Sequence, residues 1–274
     1  MDKPVSTATR RSILFGMMGS VSACAVGPVA KPRSAMAAPR TSGAPVVPPR
    51  RPALSPGGRR SVVCVCAHPD DAESGCGGTL VRLVKEGYRV QVVYTFSGGV
   101  PGKGVEEAVS TRREEARRAC RVLGADPYFA FDDRGASRLD DANIAKLAGV
   151  LKQSAPEMIF GQWPLDTHQD HQIAALLTLR AAATLDPAPD LYFFEVERGS
   201  QTMAFSPSVY VDITAVREQK VNALTEHESQ DPWRLYERDH EPMELFRGRE
   251  AGVKAAEAFV PLKAGSKRLL HVLT

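Results

Sequence analysis

The sequence has no disulfide framework. Five cysteines are spread over 274 residues, and none forms a C-x-x-C pair. Cys64 and Cys66 make a C-x-C, which on a strand faces one side, and they read as small buried hydrophobes. Basic charge is also missing from the part that can fold. The formal net charge of +3 hides two unlike regions. Residues 1–60 carry ten Lys/Arg and one acidic residue, a balance of +9, whereas the other 214 carry 25 basic and 31 acidic residues, a balance of −6. An acidic folded region argues against a nucleic-acid face. There is no internal repeat and no heptad pattern, so nothing specifies an oligomeric state. Gly75-Cys76-Gly77 lacks the third glycine of a dinucleotide fingerprint, and no acidic residue clearly follows at the ribose position, which removes that reading.

What is present is an ordinary globular composition, 43% hydrophobic and 24% charged. Residues 1–37 read as an export region. Thr9-Arg10-Arg11-Ser12-Ile13-Leu14 has the twin-arginine form, with a weakly apolar stretch over 13–23 behind it. That stretch is about half the length that spans a bilayer. Val21-Ser22-Ala23-Cys24 resembles a lipobox, which would lipidate Cys24 and anchor the chain at a membrane surface. Ala35-Met36-Ala37 offers a competing cleavage site. The lipobox is preferred because Cys24 directly follows the apolar run. Export places the protein in the periplasm, on the cell surface or outside the cell. Residues 38–60, rich in Pro, Gly and Arg without periodicity, read as a disordered linker, and 61–274 as the working domain.

In that domain strands and helices alternate. Strands are expected over 61–66, 89–95, 128–131, 157–160, 191–195 and 209–211. Helices are expected from Gly77-Gly78-Thr79 to Gly87, then over 106–123, 140–153, 173–185 and 216–228. This predicts an α/β, Rossmann-like, mainly parallel sheet with helices on both faces. Ligands bind such sheets at the C-terminal edge of the strands. The loops after the first and fourth strands should therefore meet, although His68 and His171 are far apart in sequence. The tail after Asp231 has no legible pattern.

Those two loops carry the chemistry. The first holds His68-Pro69-Asp70-Asp71-Ala72-Glu73, the second His168-Gln169-Asp170-His171. Two histidines and a carboxylate, with one position open, make a hydrolytic zinc site. The candidates are His68, Asp70 or Asp71, and His168 or His171. One of the paired aspartates can bind metal while the other takes the proton of the attacking water. The second loop leaves one histidine free to ligate and the other to face the substrate, and Asp170 can fix the tautomer of His168.

With Gly77-Gly78-Thr79, Arg112-x-x-Glu115-x-x-x-Ala119-x-x-x-Leu123-Gly124, and Lys220 with His227-x-Ser229-Gln230, these motifs resemble the PIG-L/LmbE-like zinc deacetylases. That family removes acetyl from N-acetylglucosamine-type conjugates. The resemblance covers residues 61–230. It implies His68, Asp71 and His171 as ligands of Zn2+ and Asp70 as general base. His168 would polarise the carbonyl or protonate the leaving amine, with Asp170 behind it. Glu73 would support the metal loop, and Arg112 and Asp133 would lie near the substrate. Gln169 stands where many relatives have proline, which changes loop stiffness but no ligand.

The expected function is therefore zinc-dependent removal of an N-acyl group, acetyl first, from a small-molecule or glycan amide. Two readings compete. A non-haem iron enzyme can use the same ligands, but such sites usually sit on all-β barrels. An exported glycan-binding protein would not need both Asp70 and His168.

Overall fold

The computed structural model describes residues 58, 60–131, 138–196, 201–263 and 273. The expected leader, lipobox and nearly all of the linker lie outside these residues, as does Asp133. Among the described residues no helix is long and apolar enough to cross a membrane.

Strand β1, Ser61–Cys66, is buried along its whole length. Alternation in its sequence is absent because both faces are covered. Val62, Cys64 and Cys66 pack into one core layer, Val63 and Val65 into the other. The cysteines share one face, and Cys64 Sγ lies 3.6 Å from Cys76 Sγ. The first layer is closed by α1 (Asp71–Lys85), α2 (Val105–Leu123) and α5 (Arg217–Thr225). The second is closed by α3 (Asp141–Ser154) and α4 (Gln169–Ala182). Helix ends follow local chemistry. Gly124 ends α2 in the left-handed region at φ 80. Asp140 caps α3 by accepting from Asn143 N.

The remaining strands are β2 (Arg89–Tyr94), β3 (Asp126–Phe129), β4 (Met158–Gln162), β5 (Asp190–Phe194), β6 (Val209–Asp212) and β7 (Ala256–Pro261). The sheet order is β3-β2-β1-β4-β5-β7-β6. The first five strands are parallel, and β7 runs antiparallel to both β5 and β6. Connectivity reverses between β1 and β4, so their C-terminal ends open one crevice. Both histidine motifs leave the sheet there.

Three boundaries differ from expectation with clear causes. Helix α1 begins at Asp71, not at Gly77-Gly78-Thr79, and its first turn, with Asp71 and Glu73, is polar and shows no apolar periodicity. Helix α4 begins at Gln169, not 173, because His168 caps it. Its first turn is polar and carries no apolar periodicity. Strand β3 begins two residues early and contains Pro127, tolerated on an edge strand.

The tail is ordered by charge more than by apolar pattern. It runs through α6 (Pro232–Leu235), a π-helical turn (Tyr236–His240), α7 (Glu241–Ala251) and β7. Lys220, 1% exposed, has its Nζ 2.8 Å from both Glu244 Oε1 and Glu257 Oε1. Glu257 also accepts the N–H groups of Gly78 and Thr79 at 2.9 and 2.7 Å, in the middle of α1. The tail is thus bound onto the helix that carries Asp71. Gly78 leaves room for this approach and for Ile213: a Cβ there would sit 2.6 Å from Ile213 Cγ2 and 3.3 Å from Glu257 Oε1. Lys220→Met should destabilise the protein by about 3–5 kcal/mol, since it strands two buried carboxylates. Urea melts of the two proteins check this, and equal midpoints at equal slope would refute it.

Candidate active site

The two strand ends are tied before any functional group appears. Ala67 N donates to Oε1 of the fully buried Gln162, the last residue of β4, at 2.7 Å. The chain then turns through His68 and Pro69 to Asp70, which has φ 110. A non-glycine residue in that region is strained, and such strain concentrates at functional sites. Asp70 sits at the head of α1, with Asp71 and Glu73 in the first turn, where carboxylates are favoured by the helix dipole.

Asp71 stands between two rings. Its Oδ2 accepts from His68 N at 2.6 Å and lies 3.5 Å from His68 Nδ1, while Oδ1 lies 3.3 Å from His171 Nε2. Asp70 is held separately. Both terminal nitrogens of Arg112 donate to its Oδ2, at 3.3 and 3.2 Å. Arg112 is itself buried and donates to the carbonyls of Ser97 and Pro69. Arg112 was expected near the substrate; its guanidinium is bonded to Asp70 and the loop around it.

The second motif straddles the start of α4. His171 is buried, and its Nδ1 lies 3.0 Å from Asp166 Oδ2. Asp166, 1% exposed, also accepts from His168 N at 2.7 Å and from the Gln201 amide. His168 is exposed, and its Nδ1 accepts from Asp170 N at 3.2 Å. The three rings cluster, with centroids 4.6 Å apart for His168–His171, 4.9 Å for His68–His168 and 5.3 Å for His68–His171.

One expected pairing is corrected. The carboxylate of Asp170 does not back His168. Its Oδ2 lies 3.0 Å from His68 Nε2, because the helix start turns the side chain across the crevice. Only its backbone N–H reaches His168. Glu73, expected to support the metal loop, acts from behind it. It is fully buried and accepts from Tyr94 OH at 3.0 Å, which ties the first turn of α1 to β2.

The electrostatics call for positive charge. Burial works against protonation of His68, but its bonds to Asp170 and Asp71 outweigh that and raise the ring to about 9. Burial likewise opposes His171, and the Asp71 charge and the Asp166 bond raise it to about 10. Burial would raise Asp71, yet the charge of His171 holds it well below the carboxylate range. Asp70 behaves oppositely: burial lifts it, against the pull of Arg112. His168 is lowered by burial and by the other two rings.

This donor set fits a borderline divalent cation. One ring nitrogen from each of His68, His168 and His171 lies within 4.8 Å of the others, and Asp71 adds a carboxylate oxygen. Hydrogen bonding separates the rings by role. His171 Nδ1 faces the Asp166 carboxylate and donates to it, so a cation would take the place of the Nε2 proton that faces Asp71. His168 Nδ1 faces a backbone N–H and must accept, so its proton sits on Nε2, a donor rather than a ligand. His68, His171 and Asp71 are therefore the better set.

Asp166 and Gln201 were not singled out from sequence, although a carboxylate five residues before a ligand histidine is a usable signal. Asp166→Asn should weaken metal binding roughly 10–100-fold, by releasing the His171 tautomer. Competition against a chelator of known affinity measures this, and an unchanged affinity would remove Asp166 from the site.

The comparisons with known proteins agree with this geometry. A family profile described as GlcNAc-PI de-N-acetylase, PIG-L, matches residues 63–182. The chain is 29% identical over 228 residues to a diacetylchitobiose deacetylase of Thermococcus kodakarensis, covering 74% of this chain and 84% of that one. It is 28% identical over 229 residues to a 4-oxalmesaconate hydratase of Pseudomonas putida, covering 74% and 86%. Among solved structures, the conserved protein TT1542 from Thermus thermophilus matches with a TM-score of 0.61 at 30% identity, covering 74% and 94%.

Proposed function

The chain belongs to the PIG-L/LmbE-like deacetylase family, and from that premise we propose that it is a zinc-dependent hydrolase of N-acetylated amino-sugar conjugates. The observation that carries the reading is the division of the crevice into a cation-demanding cluster, His68, Asp71 and His171, and a separately held carboxylate, Asp70. Relatives with deacetylase names support an acetyl amide as the bond cut. When bound, the cation supplies a Lewis acid that polarises the amide carbonyl and acidifies water.

The chain's own groups do the proton work. Asp70, gripped at Oδ2 by Arg112, takes a proton from the attacking water. His168 donates from Nε2 to the carbonyl oxygen as charge develops there, and then a proton passes to the leaving nitrogen. Water adds to the acyl carbon, the C–N bond breaks, and acetate and a free amine leave. Asp166 holds His171 throughout, and Asp170 holds His68. Asp133, matched only by resemblance, is proposed near the substrate.

Amine release from free, lipid-linked and polymeric N-acetylglucosamine compounds, with and without chelator, tests this. Chelator-sensitive release supports it. The hydratase relative sets a rival outcome: water addition to 4-oxalmesaconate, with no amine released from any amide, would overturn the deacetylase reading. Neither an iron oxygenase nor a pure binder gains support from the family. We also propose export, carried by Arg10-Arg11 and Cys24 in the sequence alone. Radiolabelled fatty acid on the wild type but not on Cys24→Ala would support the anchor, and a processed, unlabelled protein would favour cleavage near Ala37.

A further inference from the structure

The proposed reaction leaves one buried histidine without a role. His227 is 0% exposed. Its Nε2 lies 3.5 Å from Glu73 Oε1, a charge contact and not a hydrogen bond, and neither ring nitrogen has a hydrogen-bond partner among the described residues. A buried ring nitrogen in that state calls for an explanation, and a bound water is the commonest one. The ring lines a small cavity whose walls also include Asp70, Gln230 and His240. His240 is brought there by the π-helical turn, with its Nδ1 2.9 Å from Ser74 Oγ. Across the cavity, Arg112 occupies Oδ2 of Asp70, and no described residue hydrogen-bonds Oδ1.

The tautomer follows from these contacts. The Glu73 carboxylate lies on the Nε2 side of the ring, which favours the tautomer with its proton on Nε2 and a lone pair on Nδ1. A single water can then donate one proton to Nδ1 and the other to Asp70 Oδ1. We propose that the cavity holds this water and that His227 is a positioning residue for the base. The proposal rests on the reading of Asp70 as that base. A carboxylate held only at Oδ2 can swing about that contact. A water tethered to an enclosed ring removes the swing and keeps Asp70 aimed at the nucleophile. The support runs on through Glu73 to Tyr94, so the base is braced from β2 as well as from α2.

A crystal structure of the protein should show a water within hydrogen-bond distance of His227 Nδ1 and Asp70 Oδ1. A dry cavity overturns the proposal, whether or not a substrate has been found. In kinetics, His227→Leu should lower kcat roughly 10–100-fold with KM and metal content unchanged. His227→Asn, which keeps an acceptor near Nδ1, should recover most of the rate. His227→Gln, which keeps a polar atom near Nε2, should not. Wild-type kcat in a folded, metal-loaded Leu variant overturns the proposal, as does rescue by Gln without rescue by Asn. If the wild type hydrolyses no amide, the functional reading fails, and the crystallographic test still decides the water.

Discussion

Asp70→Asn should lower kcat roughly 10²–10⁴-fold while the protein stays folded and keeps its metal. The substitution is nearly isosteric and removes only the capacity to take a proton. Arg112 still finds an oxygen acceptor where it now meets Oδ2. The backbone also permits the change. Asp70 sits at φ 110, a region in which Asn and Asp are the best tolerated side chains after glycine. A defect confined to kcat would thus report lost base chemistry and not a collapsed loop. Steady-state kinetics with metal content and thermal melts on one preparation make the separation. Wild-type turnover in a folded, metal-loaded variant would move the base elsewhere.

His171→Ala should purify without stoichiometric metal and without turnover. The loss should exceed the roughly 10–100-fold expected for Asp166, its outer partner. His171 lies between Asp71 and Asp166, so its removal leaves two buried carboxylates facing a void. His168→Ala is the informative contrast. That ring caps α4 and accepts from Asp170 N, which puts its proton on the wrong nitrogen for a ligand. It should keep metal and lose rate, with a small stability cost from the lost cap, about 1 kcal/mol. Elemental analysis of both variants separates a two-histidine, one-carboxylate site from a three-histidine one. Metal retained without His171 but lost without His168 would reverse the assignment.

Much of the architecture was legible because burial on both faces writes itself as apolar runs. The strand at Ser61–Cys66 and the loops leaving β1 and β4 could be placed from such runs and from the motifs after them. The tail could not, because α7 and β7 bury Glu244, Arg247 and Glu257. Charged residues in ion pairs carry no periodicity that a hydrophobic reading detects. The site was legible in its residue types and less so in its pairings. Spacing shows that Asp170 is close to His168, but not that a helix start turns its carboxylate to His68. Asp166 escaped, and His227 was placed in a motif without a role, for a related reason. Each acquires meaning only from contacts made by distant segments, such as Gln201 on one and the Asp70 cavity on the other.

The bond from Glu257 into the middle of α1 has a consequence for the order of events in synthesis. The helix that presents Asp71 emerges from the ribosome early, whereas β7 is among the last of these elements to be made. Contacts separated by 178 and 179 residues form slowly and late. A nascent chain that has already made both histidine motifs would therefore still lack a finished catalytic helix. Activity should appear only when the last strand has closed the sheet, so the crevice is armed by completion of the fold itself.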